Sequence, residues 1–278
     1  NHLRSKGYSE REMIAANVAV ETRSGRAMDR FHARVMFPII DLRGNVVAFG
    51  GRILTNEKPK YINTSDTPVY HKSSGLFAMN FAKNALENDR IILAEGYMDV
   101  ISLHKAGIEN AIASLGTALT AEQARIIARY AKEVVICYDS DEAGQKAAQR
   151  AIPILRGAGL LVRVMAVPGN KDPDEFINAC GDEGAARFRR LIEQSGNDVE
   201  YRLAKLKSGY DLSNEKGRIQ CLMAAVEMRA GLENAMERDV DVSRLSQELN
   251  VDKNAMLQQM SVSVRKKARA AQRQQQRD

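Results

Sequence analysis

Between Arg90 and about Gly184, short apolar and largely β-branched runs alternate with segments whose apolar positions recur every three or four residues. Ile91 to Ala94, Ala111 to Ser114, Val134 to Tyr138 and Val162 to Val167 contain almost no polar position, the pattern of strands covered on both faces. Met98 to Ala106, Ala121 to Ala131 and Glu142 to Gly157 carry helical periodicity, and Thr120 stands where an N-cap belongs. Strand and helix in alternation predict a parallel sheet with right-handed crossovers.

The pattern changes on either side. In residues 1 to 86, SEREMIAANV reads as a helix with Ser9 and Glu12 forming a capping box, and RVMFPIID and VVAFGGRIL read as a hairpin turning over Leu42 to Asn45. The polar stretch TNEKPKYINTSDTPVYHKSSG follows, long for a structureless loop, and such loops commonly carry function. From Ala185 onward FRRLIEQ, VEYRLAKLK, GRIQCLMAAVEM and VSRLSQELN each show an apolar stripe at three-and-four spacing, which predicts a small helical bundle. Asp241 to Val251 with the helix after it also imitates a helix-turn-helix, although short bundle helices look the same. The division expected is a basic mixed α/β subdomain at 1–86, a parallel α/β subdomain at 87–184, a helical bundle at 185–264, and a basic linker or frayed helix end at 265–278.

Carboxylates follow three of the apolar runs: Glu95 and Asp99 in AEGYMD, Asp139 and Asp141 in YDSDEAG, and Asp172 and Asp174 in NKDPDEF. Parallel strands would bring them to one sheet edge, outside the carboxyl ends where open α/β sheets bind ligands. Anions gathered there need a cation, and an all-oxygen donor set favours Mg²⁺ or Mn²⁺ and metal-assisted work on phosphates. Each string also has a plainer reading. Asp99 suits the first turn of any helix, Asp139 or Ser140 could cap one, and Asp172 before Pro173 is an N-cap in its own right. Asp139 and Asp141, two apart in an extended segment, would point the same way.

Net charge is +6, spread as +5 over residues 1 to 90, −4 over 91 to 185, zero over 186 to 264 and +5 over 265 to 278. A basic region joined to an acidic one suits an enzyme that holds a polyanion beside metal ions. Within the first region Arg34, Arg52, Lys60, Tyr61 and Lys72 are candidates for holding nucleic acid or nucleotide, with Gly50-Gly51 permitting close approach and Tyr61 offering a stacking face. Scattered cations on a solvated strand face would look similar. The three cysteines, Cys137, Cys180 and Cys221, form no CxxC pair, and the four histidines form no ligand pattern, so no zinc site is expected. No GxSxG, HExxH or P-loop string occurs. The absence of a long apolar run, together with a start at Asn1, leads us to expect an intracellular piece of a longer protein.

The order EGYMD, YDSDEAG and KDPDEF on a short βα repeat resembles the TOPRIM domain of primases, topoisomerases and some nucleases. RVMFPIIDLRGNVVAFGGR, KYINTSDTPVYHKSSGLF and AEGYMDVISLHKAGIENAIASLGTALT narrow this to a resemblance to the bacterial DnaG-type primases, running from about Asn17 to Asp182. The resemblance implies a nucleotidyltransferase that makes short RNA primers on single-stranded DNA for replication. It implies Glu95, Asp139 and Asp141 as principal ligands of two or more Mg²⁺ or Mn²⁺ ions, with Asp99, Asp172 and Asp174 assisting. It further implies ribonucleoside triphosphates and a primer-template hybrid held by the basic residues, and a monomer working in the cytoplasm at the replication fork. The family's zinc-binding and helicase-binding domains are expected to be absent from this chain. A TOPRIM nuclease or topoisomerase, and a single-strand-binding module without catalysis, are the rival readings.

Overall fold

Branched and aromatic side chains are frequent in β3 (Arg34–Ile40) and β4 (Val46–Ile53), and the turn between them is tied by one carboxylate. Asp41 Oδ1 accepts from the backbone N–H of Arg43 at 2.9 Å and of Asn45 at 2.8 Å, while Gly44 takes φ +94°. The computed structural model describes residues 1–115, 118–170, 172–197, 201, 206–207 and 209–229. The chain divides into two compact units, residues 1–198 and 199–278.

The first unit begins with α1 (His2–Ser5), α2 (Glu10–Ala15) and a small hairpin of β1 (Ala19–Glu21) and β2 (Ala27–Asp29). A three-stranded antiparallel sheet follows, in the order β3 (Arg34–Ile40), β4 (Val46–Ile53) and β5 (Tyr61–Asn63). The capping box at Ser9 and Glu12 forms as expected. The long polar stretch is not structureless: Tyr61–Asn63 pairs with Gly50–Arg52, and α3 (Met79–Ala82) lies just beyond it.

The alternating part folds as β6 (Arg90–Ala94), α4 (Tyr97–Lys105), β7 (Ala111–Ala113), α5 (Ala121–Ala128), β8 (Glu133–Cys137), α6 (Glu142–Gly157) and β9 (Leu161–Val164). Its sheet runs β10-β9-β8-β6-β7, with β6 to β9 all parallel and the two-residue β10 (Gly196–Asn197) antiparallel at the edge. Every residue of β6 is buried, as the unbroken apolar run requires. α7 (Pro173–Ala179) and α8 (Gly184–Gln194) complete the unit. Phe188 of α8 packs into the core formed with Ile92, Val100, Leu103, Val135 and Val167. At the amino end of the sheet Arg90, 8% exposed, bonds Glu133 of β8 and, at 2.7 Å, Glu193 of α8, so a buried cation is matched by two carboxylates.

In the second unit the described helix is α9 (Glu215–Arg229), which covers GRIQCLMAAVEM, with Asn214 Oδ1 accepting from Gly217 N–H at 2.7 Å ahead of it. VSRLSQELN, most of VEYRLAKLK, the helix-turn-helix imitation and the basic tail lie outside the described residues.

Candidate metal and nucleic-acid site

Register alone carries the first acidic residues together. Ala94 pairs with both Ala113 and Cys137, so Glu95 leaves the sheet beside the segment that continues β8 into Asp139. Glu95 Oε1 accepts from Asp139 N–H at 3.0 Å, fixing one carboxylate against the backbone of the next. α6 starts immediately afterwards and Gly144 sits against this pair. A Cβ there would fall 2.2 Å from Asp139 O and 2.6 Å from Glu95 Oε1. Only glycine lets the helix begin so close to the two acidic strand ends, a requirement that the sequence reading missed although YDSDEAG contains it.

Helix capping and clustering coincide. Asp141, rather than Asp139 or Ser140, caps α6, accepting from Gly144 N–H at 2.8 Å. Asp172 caps α7 through Glu175 N–H at 2.7 Å, and Asp99 of α4 accepts from Gly96 N–H at 3.0 Å. Asp174 turns toward α4 instead, bonded by Ser102 Oγ and by Asn178 Nδ2. Burial first, then Asp139 and Asp141, hold Glu95 above the usual carboxylate range; burial first, then Asp172 and Asp141, do the same to Asp139. Asp99, 7% exposed, is pushed up to about 7 by burial, with Asp172 the largest charge acting on it. Glu95, Asp99, Asp139, Asp141 and Asp172 therefore share one electrostatic neighbourhood.

Whether this donor set fits a metal is a question of chemistry and distance. The donors are all carboxylate oxygen, which suits a hard divalent ion, and their mutual repulsion is the kind that bound cations offset. Among the described residues no three of them already stand as a closed ligand group. Binding would draw them inward, against bonds that engage one oxygen each of Glu95, Asp99, Asp141 and Asp172.

Asp99 gives a stability test independent of activity. Its folded pKa lies above its unfolded value of 3.8, so the folded chain holds the proton more tightly and stability is lost as pH rises from about 4 through about 7. Asp99→Asn, which can keep an oxygen facing Gly96 N–H, should raise unfolding free energy at pH 8 by on the order of 2–4 kcal/mol in chelator-treated buffer. Urea unfolding at pH 4 should show no such gain. An equal effect at both pH values would contradict the placement of this carboxyl.

Of the basic-region candidates Arg34, Arg52 and Tyr61 lie on the three-stranded sheet, with Lys60 just ahead of β5 and Lys72 beyond it, and the sheet meets the acidic edge through Tyr97. The Tyr97 ring stacks on Phe37 at 4.8 Å, meets Phe77 edge-on at 4.8 Å, and lies 6.1 Å from Tyr61. Its hydroxyl donates to Asn63 Oδ1 at 2.9 Å, while Asn63 Nδ2 donates to Leu115 O at 2.8 Å. A Cβ on Gly50 would sit 2.3 Å from that hydroxyl, so the glycine is what admits the ring. Neither Tyr97 nor Asn63 was legible as a bridge, since their contact joins segments 34 residues apart.

Arg52 lies 5.7 Å over the Tyr61 ring, in the same row of the sheet. Burial raises the Tyr61 hydroxyl pKa, opposed by Arg52 and reinforced by Asp99, Asp174 and Asp172, which places this ring within electrostatic reach of the acidic edge. Arg34 is spent differently. Its guanidinium donates to the carbonyls of Pro59 at 2.8 Å and of Gly51 and Lys60 at 3.2 Å, bracing the loop that presents Lys60. Lys60 itself is exposed. Lys72 contributes backbone bonds, its N–H to Asp66 Oδ1 at 2.9 Å and its carbonyl to Gln123 Nε2 at 3.4 Å.

Comparison with known proteins bears on this arrangement part by part. The family model described as "DNA primase catalytic core, N-terminal domain" matches residues 1–83, and the Toprim-like model matches 92–177. A third, the DnaB-helicase binding domain of primase, matches residues 199–254 and revises the expectation that a helicase-binding part is absent. The DNA primase of Clostridium acetobutylicum is 40% identical over 264 residues, 95% of this chain and 44% of that protein. The chain thus spans less than half the length of the curated relatives it matches. The crystal structure of a DNA primase domain from Pseudomonas aeruginosa superposes with a TM-score of 0.78 at 34% identity, covering 94% of this chain and 83% of that one. A structure of the DnaG primase catalytic domain bound to single-stranded DNA gives 0.77 at 34% identity, covering 92% and 81%. These structures share the fold over more than nine-tenths of this chain, and the chain belongs to the bacterial DnaG-type DNA primases, over their catalytic core.

Proposed function

We propose that this chain joins ribonucleotides into short primers on a single-stranded DNA template. The observation that carries the reading is the meeting of two surfaces: carboxylates from three strand ends, and a cationic, aromatic sheet face whose Tyr61 lies within their field. Relatives of the same fold bind single-stranded DNA, and in Mycobacterium tuberculosis a duplex with a six-nucleotide overhang, which agrees with it.

Glu95, Asp139 and Asp141 would hold Mg²⁺ or Mn²⁺, two or more ions, with Asp99 and Asp172 supporting them and Asp174 orienting α7 from its bonds to Ser102 and Asn178. Such ions, when bound, would lower the pKa of a primer 3′-hydroxyl and offset charge on the departing pyrophosphate. The protein's own part is positional. Asp139 N–H and Gly144 fix Glu95, Arg34 braces the loop bearing Lys60, and Tyr61 with Arg52 offers a stacking and phosphate-binding face for template or nucleotide. Residues 199–254 would engage the replicative helicase, and a monomer at the replication fork fits the whole.

Lys60 allows a binding test. If it neutralises one phosphate, Lys60→Ala should weaken single-strand binding and flatten the plot of log affinity against log salt by about 0.7. An unchanged slope would remove Lys60 from the contact.

The activity itself is tested by incorporation of labelled ribonucleotides on a primed single-stranded template with Mg²⁺ or Mn²⁺, native chain against Asp139→Ala. Template-dependent RNA, lost in the variant, is the expected result. Strand cleavage that Asp139→Ala abolishes, without RNA synthesis, would move the chain to the nucleases that use the same acidic edge.

A further inference from the structure

Tyr97 is the first residue of α4, just beyond Glu95, and is 4% exposed. Its ring packs with Phe37, Ile39 and Leu115. Phenylalanine would fill the same space, so packing does not account for the hydroxyl. That hydroxyl donates to Asn63 Oδ1 at 2.9 Å, and the other end of the amide, Nδ2, donates to Leu115 O at 2.8 Å. A backbone carbonyl only accepts, so Nδ2 must face Leu115, Oδ1 is left facing Tyr97, and the hydroxyl is the donor. One amide is thus held at both ends.

Both anchors lie at strand ends of the parallel sheet. Leu115 follows β7, is 4% exposed, and takes φ +66°, a left-handed conformation unfavourable for a bulky side chain and one that the bond to its carbonyl helps to hold. Its neighbour Ser114 hydrogen-bonds the Tyr138 hydroxyl, immediately before Asp139. Asn63 is therefore tied directly to the string that carries Glu95 and, through the end of β7, to the one that carries Asp139.

Asn63 itself belongs to β5, as does Tyr61, and alternate residues of a strand share a face. β5 lies at the edge of its sheet, where Tyr61 pairs with Arg52 of β4. Apolar packing around Tyr97 is non-directional, whereas the bonds from Tyr97 to Asn63 and from Asn63 to Leu115 constrain angle as well as distance. They set where the row of Tyr61 and Arg52 stands relative to the carboxylates.

Given primer synthesis as the activity, on which this rests, we propose that Tyr97 is a positioning residue: acting through Asn63, its hydroxyl fixes the row of Tyr61 and Arg52 against the acidic edge, so that a strand or nucleotide stacked on Tyr61 meets that edge in the reactive register. The sheet holds nucleic acid and the edge holds cations, each without help from the hydroxyl; their relative placement depends on it. A misplacement of about 1 Å can cost on the order of a hundredfold in rate.

The test compares the whole native chain with Tyr97→Phe, Asn63→Ala and the double variant in ribonucleotide incorporation on a primed single-stranded template. Thermal midpoint, Mn²⁺ affinity and template affinity are measured separately for each. Tyr97→Phe should fold and keep both affinities within about twofold and KM for ribonucleotide within about threefold, while kcat falls by about tenfold or more. The double variant should match Asn63→Ala within about twofold, because a hydroxyl that acts through the amide has nothing to act on once the amide is gone. Should Asn63→Ala fail to fold, Asn63→Leu, of similar shape, takes its place in the cycle. Native kcat in Tyr97→Phe, a fall in kcat matched by a fall in template or Mn²⁺ affinity, or losses that multiply in the double variant would each overturn the proposal. A native chain that makes no RNA would instead remove the primase reading, and this role with it, an outcome distinct from a native chain and a Tyr97→Phe variant that make RNA equally well.

Discussion

Glu95→Gln should lower ribonucleotide incorporation by about a thousandfold, the scale of losing one principal electrostatic group from a preorganised site, while the protein stays folded. Glutamine keeps an oxygen where Glu95 Oε1 accepts from Asp139 N–H, so the link between the ends of β6 and β8 survives. What goes is a charge that burial and Asp139 already disfavour. The raised folded pKa means that Glu95 gives stability away as pH rises through it, so removing the charge should leave the thermal midpoint at pH 8 equal or higher. Activity lost with stability kept separates a functional carboxylate from a structural one. A variant with native incorporation would remove Glu95 from the chemistry, and one that unfolds would make it a packing residue.

Gly144→Ala should do the reverse and damage both properties at once. The new Cβ meets a backbone oxygen and the Glu95 side chain at distances no side chain tolerates, and a backbone atom cannot swing aside. The first turn of α6 must shift, at a cost of about 3 kcal/mol, the upper end for overpacking. Because Asp141 caps that turn through Gly144 N–H, the acidic pair moves with it, and incorporation should fall at least tenfold. Gly157→Ala at the other end of the same helix supplies the control. A Cβ there meets nothing within 4 Å, so the change should be neutral or stabilise by up to about 1 kcal/mol. Denaturant midpoints for the two variants test this directly, and equal midpoints would contradict the close contact at Gly144.

The parallel sheet could be read from the sequence because β6, β7 and β8 are apolar on both faces, a pattern that polar loops do not imitate. β5 escaped because its three residues are half-buried and surrounded by polar ones, so pairing with β4 rather than pattern makes it a strand. β1 and β2 are similarly short, and each carries an acidic residue at its end. Within the site, sequence located the carboxylates but not their division of labour. Asp141 rather than Asp139 takes the capping bond, and Asp174 answers to Ser102, 72 residues away. Arg34 looked like a phosphate ligand by charge and position, yet three carbonyls claim its guanidinium. Tyr97 sits inside the very string that announced the site, and its bridge to Asn63 depends on a tertiary contact that local pattern does not encode.

The central claim is that the acidic edge binds divalent ions, and Mn²⁺ measures it most directly. Titration followed by the electron paramagnetic resonance signal of free Mn²⁺ should show saturable uptake by the native chain, displaced by excess Mg²⁺. Uptake should be weakened at least tenfold in Glu95→Gln and again in Asp139→Asn, with both variants folded. Uptake that is unaffected by either substitution, or absent in a chain that still makes RNA, would contradict the account.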